Sequence, residues 1–208
     1  MKKLKSLINY LKRDSKYALM LFGIIVLISC CSVKREPRVV LIQPFEDVDS
    51  STIELLQQQL NEIFSTVIVS SKKQLPASAY FAARHRYRAD SIIQQHKRAT
   101  GKDTVILAIT HHDISTTKDN HKDWGVMGLA ISPGNSCIVS DFRAGKPRNK
   151  IHLFKLALHE LGHTEGLPHC KQQSCYLRSA EGKNHLDQLD DFCNDCKKYL
   201  RNRGWNLR

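Results

Sequence analysis

The sequence predicts an α/β fold: a mixed twisted sheet with packed helices and a small cysteine-rich part at the C-terminal end. Three observations lead there. A strand–helix–strand spacing opens the globular region, a long apolar strand lies near its centre, and a helix-period stretch carrying His159, Glu160 and His163 precedes four cysteines. The 208 residues suffice for one domain and are too few for two comfortable ones.

The first segment reads as an export signal over residues 1–29. A basic region ends at Lys16, and an apolar core of about eleven residues follows, Ala18 to Ile28. That core is too short to span a bilayer. Leu27-Ile28-Ser29-Cys30 resembles the lipobox of bacterial lipoproteins, which implies a lipid anchor on Cys30 and a place in the bacterial cell envelope, on the exported side of a membrane. Cys31 rather than Asp follows Cys30, so the resemblance implies no inner-membrane retention; the destination is the outer membrane if the cell has one. Residues 30–38 read as a tether, and residues 39–208 as the folded domain.

Val39 to Ile42 is a strand stopped by Pro44. Ser51 and Glu54 form a capping box that opens a helix through Leu55, Leu56, Leu60 and Ile63. Thr66 to Val69 is the next strand, and the unit implies parallel pairing. A second helix runs from about Arg88 to Ala99 with Ile92 and Ile93 inward and Gly101 beyond its end. The Arg84, His85, Arg86, Arg88 cluster reads as a solvated approach to it. Asp103 to Thr110 is the strongest buried strand. His111, His112 and Asp113 follow it; adjacent residues on a strand end point to opposite sides, so a loop or supporting role is expected rather than a shared ion. Asp119 to Asp123 is a polar loop. Trp124 to Ile131 is an apolar run interrupted by Gly125 and Gly128, Pro133-Gly134 a turn, and Cys137 to Ser140 a returning strand whose cysteine is a buried thiol. A helix from about Asn149 to Glu165 has Ile151, Phe154, Leu158 and Leu161 as its core stripe, with His152 near the cleft but not a ligand.

The chemistry concentrates in His159-Glu160-Leu161-Gly162-His163-Thr164-Glu165-Gly166-Leu167-Pro168-His169. Residues four apart share a helix face, so His159 and His163 can present two imidazoles to one zinc ion. Glu160 projects beside the metal, where a general base belongs. Gly166 can take the left-handed conformation that ends a helix, and the reversed chain returns His169 as a third ligand. Three protein ligands leave the fourth position open, the mark of a catalytic zinc. Five fixed positions match by accident on the order of once in ten thousand chains of this length. Cys170, Cys175, Cys193 and Cys196 suit a closed four-thiolate zinc site; in an oxidising compartment the same spacing also admits two disulfides.

The order HExxHxxGxxHCx4C followed by CxxC resembles the archaemetzincins, a metzincin family of zinc metallopeptidases with a second zinc. The resemblance runs from His159 to Cys196 and extends weakly upstream through Trp124–Ala130 and Cys137–Ser140. It implies a metzincin-like α+β arrangement with the zinc helix below an edge strand along which a peptide substrate pairs. It favours zinc over disulfides at the four cysteines, hence two Zn2+ per chain, one catalytic and one structural. Two departures stand out. Leu177 occupies the position of the family's Met-turn methionine, an apolar floor beneath the zinc, and the Leu177–Cys193 interval is slightly short. Tyr176 and His185 are polar groups near this turn.

The expectation is a peptidase acting through metal-activated water with Glu160 moving the proton. The alternative is a non-catalytic zinc- and peptide-binding envelope lipoprotein, which has no need of Glu160. Net charge is +12, but six Lys or Arg and one Asp fall in residues 1–29, leaving 26 basic against 19 acidic residues, +7. With no nucleic-acid motif present, no nucleic-acid partner is expected.

Overall fold

The structure, a computed structural model, describes residues 38–97, 103–145 and 150–208. Residues 1–37, which include the expected signal segment 1–29, Cys30 and most of the expected tether, lie outside the described residues, as do Gly101 and Asn149. Among the described residues no helix is long and apolar enough to cross a membrane.

The apolar central strand explains the architecture. β1 (Val39–Pro44), β2 (Val67–Val69), β5 (Thr104–Thr110), β8 (Gly128–Ala130) and β9 (Ser136–Ser140) form a five-stranded sheet in the order β2-β1-β5-β9-β8. The pairs β1–β2, β1–β5 and β5–β9 are parallel, and β8 closes the edge antiparallel to β9. A strand inside a parallel sheet is covered on both faces, so it must be apolar throughout. Val105, Leu107 and Ile109 of β5 accordingly join one core with Leu56, Leu60, Leu153 and Leu161, while Ala108 joins a second with Phe45, Ala89, Ile92 and Ile138.

The first core lies under α1 (Ser50–Asn61) and α3 (Lys150–Thr164), and the second under α2 (Ala89–Lys97). A separate four-stranded sheet has the order β3-β4-β6-β7: β3 (Tyr80–Phe81), β4 (Arg86–Arg88), β6 (Ile114–Lys118) and β7 (His121–Val126). α4 (Asn194–Arg201) ends the chain's regular structure.

Several elements depart from the sequence reading. Asp49, not Ser51, caps α1: its carboxylate accepts from Thr52 N at 2.9 Å and from Thr52 Oγ1 at 2.8 Å. The Ser51 and Thr52 donors hold the Asp49 carboxyl well below the usual carboxylate range. Ile63 lies beyond the helix. Arg86 and Arg88 are not a solvated helix approach but strand β4, and acidic residues distant in sequence hold Arg86: Asp113 at 2.7 Å and Asp123 at 3.1 Å. His121 to Asp123 belong to β7 rather than to a loop; the turn is at Asp119, whose φ is +52°. Ile151 is 59% exposed, and the buried apolar stripe of α3 starts two residues later at Leu153, since periodicity marks a face but not where its packing partners begin. Arg38, read as the last tether residue, is buried and lies 3.5 Å from Glu165 at the end of α3, so the folded domain includes it.

Candidate active site and metal centres

α3 brings the first two histidines together. His159 Nε2 and His163 Nε2 are 3.0 Å apart, and one nitrogen from each of His159, His163 and His169 lies within 4.8 Å of the others. Around a tetrahedral zinc with bonds of about 2.0–2.1 Å, ligand nitrogens stand roughly 3.3 Å apart. The donor set therefore fits that ion.

The other ring nitrogens explain why the Nε2 atoms converge. His159 Nδ1–H donates to the Tyr176 carbonyl at 2.6 Å, and His163 Nδ1–H to the Leu167 carbonyl at 2.7 Å. A carbonyl can only accept, so the proton sits on Nδ1 and each Nε2 lone pair faces inward, as metal-binding imidazoles require. Burial pushes the His159 imidazole down to about 3, assisted by the neighbouring His163, and burial lowers His163 and His169 too. These shifts all favour the neutral imidazole, the form that binds a metal. Gly166 ends the helix at φ +94°, its N–H bonded to the His163 carbonyl at 2.8 Å, and turns the chain so that His169 comes back.

Glu160 points away from this cluster's backbone anchors and toward the sheet edge. A Cβ built on Gly128 of β8 would fall 2.4 Å from Glu160 Oε1, so only glycine lets the edge strand pass over the carboxylate. Burial raises the Glu160 carboxyl to about 8. Leu177 is fully buried under α3, its Cδ2 3.0 Å from where a Cβ on Gly162 would be. It thus packs against the helix between His159 and His163, as an apolar floor would.

The four cysteines form a second cluster. One sulfur from each of Cys170, Cys175, Cys193 and Cys196 lies within 4.8 Å of the rest, and none is in a disulfide. Cys170 Sγ and Cys193 Sγ are 3.6 Å apart. Tetrahedral thiolates at about 2.3 Å from zinc stand roughly 3.8 Å apart, so this donor set also fits. Backbone N–H groups of Gln172 and Cys193 approach the Cys170 and Cys175 sulfurs at 3.4 Å each. Cys170 N–H bonds to Leu177 O at 2.8 Å, and Cys175 is bridged to Asp191, so the cluster ties three stretches of chain together.

The remaining sequence candidates fall outside both clusters. His111 Nδ1 lies 2.7 Å from Asp141, Asp113 is held by Arg86 and Arg143, and His152 spans the Ala144 carbonyl and Asp187. His185 stands near Arg178. Cys137 is a buried thiol in β9, as expected. The sequence reading missed two carbonyl anchors, Tyr176 O and Leu167 O, because backbone acceptors leave no trace in residue type. It also named Gly128 without its reason, the Glu160 side chain.

The family model for peptidase family M54 matches residues 39–202. The chain belongs to peptidase family M54. It is 32% identical over 171 residues to the archaemetzincin of Halobacterium salinarum, covering 76% of this chain and 96% of the relative. To that of Methanocaldococcus jannaschii it is 29% identical over 175 residues, covering 79% and 94%. Among solved structures it is similar to the archaemetzincin of Archaeoglobus fulgidus complexed with malonate, with a TM-score of 0.66 and 29% identity over 77% of this chain and 98% of that one. It is also similar to the archaemetzincin of Methanopyrus kandleri, with a TM-score of 0.66 and 26% identity over 83% and 97%. Membership of family M54 makes the protein a zinc metallopeptidase acting on peptides or proteins.

Proposed function

We propose that His159, His163 and His169 hold the catalytic zinc, that Glu160 is the general base and acid, and that Cys170, Cys175, Cys193 and Cys196 hold a second, structural zinc. The observation carrying this reading is the convergence of three imidazole nitrogens beside a buried carboxyl that faces the sheet's edge strand. When bound, the metal supplies Lewis acidity toward a scissile carbonyl and acidifies water. The chain's residues do the rest. Tyr176 O and Leu167 O orient the imidazoles. Glu160 takes a proton from the attacking water and delivers it to the leaving amine, a role suited to a carboxyl held near neutrality. β8, the terminal strand of its sheet, offers a backbone edge along which an extended peptide pairs. No side-chain nucleophile is required.

The proposal extends to the N-terminal segment: residues 1–29 as a signal, Cys30 as the lipid-bearing residue, 30–37 as a tether, and the bacterial envelope as the location, with the domain on the exported side. Metabolic labelling with a fatty acid checks it, with label expected on the parent and absent from Cys30→Ser.

The test of activity is incubation of the zinc-loaded chain with a complex peptide mixture, new termini being read by mass spectrometry beside Glu160→Ala. New termini from the parent alone support the peptidase mechanism. Equal silence from both supports the peptide-binding alternative.

A further inference from the structure

We infer that Lys118 is a specificity-determining residue that receives a carboxylate of the bound peptide at the mouth of the zinc cleft. The inference rests on the peptidase reading above and adds the substrate class to it.

The mouth is built by two turns. One is the β6–β7 hairpin, where Lys118 pairs with His121 across the turn. Its Nζ stands 5.0 Å from the centre of the Trp124 ring. The other is the turn at Glu181 and Gly182, both in the left-handed region at φ +49° and +78°. That turn follows Arg178, which is bridged to Cys170, the neighbour of His169. The two meet at Trp124: a Cβ on Gly182 would touch Trp124 Cζ2 at 3.9 Å. Four residues beyond Trp124 the same chain reaches Gly128, against which Glu160 rests.

The two charges are free for a ligand. Lys118 and Glu181 are exposed, and neither forms an ion pair among the described residues. The arginines of this small sheet are already engaged, Arg86 with Asp113 and Asp123 and Arg88 with Asp90; Lys122 is exposed as well, and Lys118 is the ammonium that rests over the Trp124 ring. An ammonium resting on an indole face has less freedom to lose on binding than a bare surface lysine. A peptide seated along β8 runs toward this mouth, and Lys118 meets it with positive charge while Glu181 repels an acid from the opposite side. The fitting ligand group is a carboxylate, either of an Asp or Glu side chain or of a free C-terminus.

Two kinds of measurement test this. The first uses C-terminally amidated peptide libraries differing by Glu or Gln at each position, and a matched set with free C-termini and neutral side chains. For the parent, kcat/KM favours the carboxylate-bearing member by about ten-fold at one position, a charge-assisted contact's usual discrimination. Lys118→Gln removes the preference, Lys118→Glu reverses it toward basic residues, and Lys122→Glu, the same charge change on the same hairpin, leaves it in place. The set that carries the preference distinguishes side chain from C-terminus. The second measures the binding of the same peptides to Glu160→Ala protein through tryptophan fluorescence; Trp205 is buried, so the change reports Trp124. Here too the Glu-to-Gln affinity ratio collapses in Lys118→Gln. A preference that survives Lys118→Glu, or that shifts equally with Lys122→Glu, overturns the assignment. If the parent cuts nothing, the peptidase reading fails and the binding ratio still decides the role of Lys118.

Discussion

The two donor clusters differ in how the chain builds them. The histidines are arranged locally: two sit one turn apart on a single helix, and the third returns ten residues after the first, past a glycine at φ +94°. The outer nitrogens of His159 and His163 are tied to backbone carbonyls, so the inward geometry of those two exists in the protein itself. The cysteines are arranged by closure. They come from two loops and the start of α4, spread over residues 170–196, with only short bridges between them. A preformed three-ligand site leaves room for chemistry, whereas a four-ligand site assembled from loops uses all its positions to hold those loops. The adjacency of His169 and Cys170 couples the two.

That comparison can be broken at several points. Cys175→Ser removes a buried donor and is expected to drop zinc content by one per chain, lower stability by on the order of several kcal/mol, and weaken activity through His169. Thermal unfolding together with metal analysis reads all three. Glu160→Ala is expected to do the reverse: zinc content and fold are kept while kcat falls about 10²–10⁴-fold, the range for a lost general base. Gly128→Ala sharpens the distinction further. Its methyl would fall 2.4, 2.6 and 2.7 Å from Glu160 Oε1, Cγ and Cδ and displace that side chain, so steady-state kinetics should show a loss of about 10–100-fold while zinc content is kept. Leu177→Met is the smallest change. The two side chains have similar volume, so chemical denaturation should detect a shift below about 1.5 kcal/mol in either direction.

The legibility of the two clusters in the sequence follows the same division. The histidine spacing is read directly because helix periodicity is local, and the cysteine pairs because they are sparse residues at short intervals. The central strand at residues 104–110 is legible from its unbroken apolar run. What escaped depends on partners distant in the chain. Arg86 looked solvated because Asp113 and Asp123 come some thirty residues later. His121–Asp123 read as a loop because a strand of a small solvated sheet needs no apolar alternation. Asp49 displaced Ser51 as the cap because the choice between two adjacent oxygens depends on the backbone geometry at the helix entry.

The central claim is that an open histidine site performs the chemistry and a closed cysteine site holds the fold. Graded chelation of the zinc-loaded chain tests it most directly, with released zinc, peptide cleavage and near-UV circular dichroism followed together. The account predicts that cleavage disappears with the first equivalent of zinc while the dichroism persists, and that the fold of the C-terminal part is lost only with the second. Loss of the dichroism with the first equivalent, or cleavage that outlasts it, would contradict the account.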